Sequence, residues 1–297
     1  MRQGRGAVRG WADVRRGRVS AGTADVALAD VEIKLDPALA ALQLKAVSGR
    51  VAGTFSPGTL DFSTQGLEFD TADGLRWPGG NLKLTQADGV AGRPAHGELV
   101  ADRLDLAVLA QIASRLPLGD ALHASFLRYA PTGLVERIKA KWQGPAGAID
   151  KYEVQARVLQ LHVQAIPAAA RPSGTGAAIG SPGISGAVVD VEFTESGGKA
   201  KVALQNGSIA VPGVFEDPVI PFAHLSTNLA WQLDSGKVQL QLSNLRFGNA
   251  DADGDMQLKW QTSDPARSNG AGRFPGVLDL QGNLILARRT QIGRAHV

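Results

Sequence analysis

LQLSNLRFGNADADG (Leu240 to Gly254) and LDFSTQGLEFDTADG (Leu60 to Gly74) are two versions of one pattern, and that pattern decides the fold. In each, a pair of apolar residues alternates with polar ones, Leu240 and Leu242 in one copy, Leu60 and Phe62 in the other. A Ser follows, then a second alternating pair in the opposite phase (Leu245 and Phe247; Leu67 and Phe69), then an Ala/Asp/Gly turn. Period two puts successive side chains on opposite faces of a strand, so each half has one apolar and one wet face. A phase change within such a strand predicts a bulge or kink that re-aims the later side chains. VALADVEIKL shifts in the same way, from Val26 and Leu28 to Val31 and Ile33. A recurrent strand, kink and strand unit implies a quasi-repetitive sheet that grows by adding strands.

The alternation continues at Val189, Val191 and Phe193, at Leu225, Leu229, Trp231 and Leu233, and at Leu278, Leu280, Leu284 and Leu286. Short turn signals separate these runs, among them Ser56-Pro57-Gly58, Asp88-Gly89, Gly197-Gly198 and Asp234-Ser235-Gly236. The predicted fold class is therefore mainly β, a long curved antiparallel sheet over residues 13–104 and 151–286. From Asp105 to Trp142 the apolar spacing becomes three to four, which predicts two or three short amphipathic helices. Asp105 caps the first, Pro117 ends it and Pro131 opens the last, with Leu109, Ile112, Leu122, Phe126, Leu134 and Ile138 toward the sheet. PAAARPSGTGAAIGSPG (Pro167 to Gly183) reads as a mobile loop. The expected organisation is a sheet segment over 1–104, a helical insertion over 105–144 and a second sheet segment over 145–291.

Composition narrows the chemistry. With 31 basic and 28 acidic residues among 297, the net charge of +3 is too small to coat a nucleic-acid backbone, and no nucleic-acid partner is expected. The surplus is local: residues 1–18 hold six arginines against one acid, Asp13, a solvated start or one that meets anionic lipid or nucleic acid. Absence of cysteine excludes disulfides, thiolate nucleophiles and sulfur-ligated metals. No run approaches the roughly 18 apolar residues of a spanning helix, and the arginine-rich start is no secretory signal.

The five histidines stand singly. Asp251, Asp253 and Asp255 imitate the start of a calcium loop, but the sixth position is Met256 and the twelfth Thr262, where Gly and Glu are needed. Gly174-Thr175-Gly176 lacks the strand and lysine of a phosphate cradle, and GISG (Gly183 to Gly186) lacks the spacing of a nucleophile elbow. A glycosidase needs two carboxylates on a strand, whereas here the acids gather in turns such as Asp73, Asp88 and Asp234. No catalytic residue, metal or cofactor is expected, and the chain does not read as an enzyme. What stands out is an apolar face too large for so few helices to cover. Leu60, Phe62, Leu229, Trp231, Leu240, Leu242, Leu258 and Trp260 are the residues expected to line it as a groove.

GWADVRRGRVSAGTADVALADVEIKL, STQGLEFDTADGLRWPGGN, RYAPTGLVERIKAKWQGP and FPGVLDLQGNL together resemble the AsmA-like family of bacterial envelope proteins. The resemblance runs from about Gly10 to Leu286, and RWPGGN and APTGL are its more specific strings. It implies a periplasmic β-groove, anchored in the inner membrane by an amino-terminal helix, that takes part in moving phospholipid toward the outer membrane. Acyl chains would be its ligands, the two membranes its partners through regions absent here, and catalytic residues would be none. Family members are longer and begin with a membrane helix, so the sequence reads as an internal fragment. IGRAHV (Ile292 to Val297) matches a translated sequencing adapter, and 292–297 are expected to be an artefact. The other reading left open is an envelope scaffold or protein-interaction module whose apolar face never meets lipid.

Overall fold

The structure, a computed structural model, describes residues 3–35, 37–90, 92–116, 120–145, 148–167, 180–213, 216–234, 236–263 and 276–286. Most of the segment 167–183 and all of 292–297 lie outside them. The chain divides into two units, residues 1–156 and 157–297.

In the first unit the strands are β1 (Gln3–Arg15), β2 (Arg18–Ile33), β3 (Leu42–Ser56), β4 (Thr59–Thr71), β5 (Arg76–Trp77), β6 (Leu82–Ala87), β7 (His96–Asp105) and β8 (Thr132–Gln143). They pair antiparallel in the order β1-β2-β3-β4-β6-β7-β8, with β5 a short flap on β4. Helix α1 (Leu106–Ile112), a 3-10 turn (Ala113–Arg115) and helix α2 (Asp120–Tyr129) connect β7 to β8. β9 (Lys151–Val163) crosses the division between the units. The second unit continues with β10 (Gly183–Thr194), β11 (Gly197–Ala210), β12 (Val219–Asp234), β13 (Lys237–Gly248), β14 (Ala252–Gln261) and β15 (Val277–Leu286), each antiparallel to the next. Each unit is thus the curved antiparallel meander that alternation and short turns dictate.

The kinks are real, and there are more of them than the two repeated strings announce. Seven strands each carry one residue with left-handed φ at their phase change: Asp30 (52°) in β2, Gly66 (54°) in β4, Arg103 (54°) in β7, Gln160 (51°) in β9, Gly186 (79°) in β10, Asn206 (53°) in β11 and Asn244 (53°) in β13. The β13–β14 ladder skips register between Leu242 and Leu245, so both leucines stay on one side. In β12 Ala223 and His224 are both exposed, while Phe222 before them and Leu225 after them turn inward. The kinks let a strand bend without surrendering its apolar face.

The bends also build the cores. In the second unit Ala187, Leu204 and Leu225 are buried, and residues from both sides of the kinks pack against them, including Leu161, Ile209, Phe222, Leu245 and Phe247. Phe222 and Phe247 meet edge to face at 5.9 Å between ring centroids. The strands therefore fold toward their apolar side, which supplies a core where one sheet alone has no second layer. In the first unit Val31, Leu42, Leu44 and Val47 form the core with Leu28, Leu67 and Phe69 around them, and Ile112 of α1 closes it.

One expectation fails. Leu134 to Trp142 is strand β8, not a third helix, and the helices stop at Tyr129. Ile138, Ala140 and Trp142 alternate with exposed Lys139 and Lys141, and Glu136 and Arg137 are both exposed beside buried Val135. A phase change places apolar residues three apart, at Val135 and Ile138, which mimics helical spacing. Pro131 precedes a strand here, where its missing N–H costs nothing.

Left-handed φ disfavours a side chain branched at Cβ, whereas Asn tolerates it. Asn244→Val is expected to cost about 1–2 kcal/mol, read as a lower urea midpoint with unchanged slope, and Asn244→Gly is expected to be close to neutral.

Candidate functional site

Register places six of the eight expected residues on one continuous surface of the second unit. Gly198 pairs with Trp231, Trp231 with Leu240, Leu240 with Trp260 and Trp260 with Leu278. One step along the strands, Ala200, Leu229, Leu242, Leu258 and Leu280 form a second row. Directly opposed residues on neighbouring strands share a face, so the two rows make an apolar band five strands wide. Phe193 extends it, its ring 6.4 Å from that of Trp231. Among the described residues this unit holds no helix and no second sheet to cover the band.

Leu60 and Phe62 lie in the first unit, away from that band in sequence. Phe62 pairs with Leu84, Leu84 with Leu99 and Leu99 with Ala140, giving one row; Leu60, Gln86, Gly97 and Trp142 give the next. Leu60 and Phe62 keep 38% and 37% of their surface exposed, so this apolar face too is open at its Leu60 end. Gln86 is the one polar member of these rows, and its Oε1 accepts from Trp142 Nε1 at 3.0 Å.

Sequence reasoning missed Leu84, Leu99, Leu278 and Leu280 as members of these rows. Their alternation was legible; which strands pair with which residue opposite was not. Nor did it find the seats of the tryptophans. A Cβ added at Gly198 would lie 2.5 Å from the Trp231 ring, and one at Gly97 would collide with the ring of Trp142. Each indole lies over a glycine of the neighbouring strand, a way of filling the gap that a missing side chain leaves in a sheet.

Part of the first unit's apolar face is closed by the chain itself. Val108 and Ile112 of α1 are buried, and Ile112 and Leu116 pack on Val31, Leu42, Leu44 and Val47. The expected inward residue Ile112 is in place; the side chain of Leu122 lies outside the described residues. Asp105 caps α1 as its sequence position predicts: its Oδ1 accepts from the N–H groups of Ala107 at 2.9 Å and Val108 at 3.0 Å. α2 hangs on this turn through a His123 ring nitrogen 2.5 Å from the Ala113 carbonyl oxygen. Removing the cap with Asp105→Ala is expected to cost about 1 kcal/mol, and amide exchange in α1 should rise more than in β4 or β12.

The opposite face is wet and laced with ion pairs. Arg50 grips Asp25 at 2.6 and 3.0 Å, and Lys199 reaches Glu192 at 3.1 Å. The hydrogen bond from Arg50 holds the Asp25 carboxyl below its ordinary value. These pairs are exposed and fix register more than they stabilise. Asp253 and Asp255 stand on this face, where Asp255 accepts from Asn283 Nδ2 at 3.3 Å. Among the described residues no group of three His, Asp or Glu is placed to hold a metal ion, and no helix is long and apolar enough to cross a membrane.

The profile of the YhdP protein family matches residues 1–294 of the chain. The chain belongs to the YhdP family, which is associated with the bacterial envelope, in keeping with the AsmA-like resemblance of RWPGGN and APTGL. No curated protein and no solved structure matches it.

Proposed function

We propose that the apolar faces of the two units hold phospholipid acyl chains, and that the protein is a non-enzymatic segment of a periplasmic bridge carrying lipid between the inner and outer membranes. The observation that carries this reading is the band of Trp231, Leu240, Trp260, Leu229, Leu242 and Leu258, continuous across five strands and uncovered among the described residues. Burying a methylene is worth about 0.8 kcal/mol, so a lipid with some 30 methylenes leaves a bilayer only along a path of nearly equal solvation. An apolar face edged by a wet one offers that path: chains lie on the band while headgroups stay in water. A passive groove of this kind sets no direction; a gradient or a partner does.

Native mass spectrometry of the purified chain tests this. The expected result is a mass series offset by bound phospholipid, lost when Trp231 and Leu240 carry charges. A lipid-free protein whose Trp231 crosslinks to another envelope protein would support the scaffold instead. One feature favours that second reading: α1 shows that this chain closes part of its apolar face with its own residues.

A further inference from the structure

The hairpin joining β1 to β2 turns at Arg16 and Gly17, whose positive φ values (51° and 75°) are those of a two-residue hairpin loop. Arg15 pairs with Arg18, and Val14 with Val19. Three guanidinium groups thus crowd into four residues at the tip. Along β1 the side chains of Arg9, Trp11, Asp13 and Arg15 share one face, and Arg9 lies over the Trp11 ring at 4.9 Å. Val14 and Val19 occupy the other face and are 63% and 55% exposed; Trp11 is 51% exposed.

Two observations make this more than a frayed basic end. First, the charge is unspent. Arg5 pairs with Asp30 and Arg50 with Asp25, but among the described residues Arg15, Arg16 and Arg18 form no ion pair. Asp13 is the one acid among residues 9–20, which hold four arginines. Second, the tip is amphipathic. Nucleic acid would engage the arginines and leave both valines in water. A bilayer surface takes both halves: phosphate oxygens accept from the guanidiniums while Val14 and Val19 on the other face enter the interfacial layer.

We propose that the tip of the β1–β2 hairpin docks on an anionic phospholipid surface. The docking engages headgroups and stands whether or not acyl chains occupy the apolar faces. A rigid turn presents the charges without the ordering that a disordered basic tail must undergo, so the contact is specific to this end of the sheet.

The test is cosedimentation of the full chain with vesicles of phosphatidylcholine alone and of phosphatidylcholine mixed equally with phosphatidylglycerol. Binding to the mixed vesicles is expected, weakening with salt, with little binding to the neutral ones. Arg15→Gln, Arg16→Asn and Arg18→Gln together should lower partitioning about a hundredfold, with Asn chosen because it keeps the positive φ at residue 16. Val14→Ser with Val19→Ser should lower it about tenfold at unchanged charge. Far-UV circular dichroism matching the parent shows that the sheet persists in both variants. Equal partitioning of the arginine variant and the parent would overturn the proposal. So would equal binding to neutral vesicles. Binding to a duplex oligonucleotide as tight as to mixed vesicles, and indifferent to the valines, would assign the tip to nucleic acid.

Discussion

Leu204→Ala is expected to destabilise the second unit by about 2–5 kcal/mol, the largest stability loss from truncating any one side chain of this sheet. Leu204 is fully buried, opposite Ala187 on one strand and Leu225 on the other, with Phe222, Phe247, Leu161 and Leu245 around it. In β11 and β12 the residues around it come from both sides of the kink, Val202 and Ile209 in one and Phe222 and Leu225 in the other, so they are held by backbone and cannot collapse into the void. The cost is therefore a cavity as well as lost transfer energy. Leu242→Ala, on the open band, is expected to cost far less, because that leucine is only half-buried. Urea unfolding of the two variants measures the contrast. Equal losses would mean that the band is as enclosed as the core.

That contrast shows why some of the molecule could be read from the chain and some could not. Alternation is local, so the strands, their turns and even the phase changes at Gly66 and Asn244 were legible, and so was the cap at Asp105. The kink at Gln160 was not, because VLQLHV keeps an apolar residue at every second position on both sides of it. β8 was misread for a related reason: a kink opposite Arg103 of β7 sets Val135 and Ile138 three apart, and local spacing cannot tell a kinked strand from a helical turn. The burial of Leu204 against the half-exposure of Leu240 was illegible too. Both alternate perfectly; which residues from other strands pack over them, a long-range property, decides which is core.

The same distinction governs what a charge does on the band. Leu240→Glu is expected to leave the fold nearly intact, with a stability loss of about 1 kcal/mol or less, while phospholipid photocrosslinking from a probe at Leu258 falls at least tenfold. Leu240 sits between Trp231 and Trp260 on strands β12 and β14, in the middle of its row. With no layer above it among the described residues, a carboxylate there bends into water and stays hydrated. An acyl chain crossing the same point would have to strip that hydration or leave the surface, and either raises the barrier to occupancy along the whole band. Were the band a closed core in solution, the same substitution would bury an unpaired charge, cost several kcal/mol and unfold the unit. Thermal unfolding and crosslinking measured on one sample separate the cases. Retained stability with a lost crosslink supports the lipid path; lost stability, with no crosslink even from the parent, supports a covered scaffold.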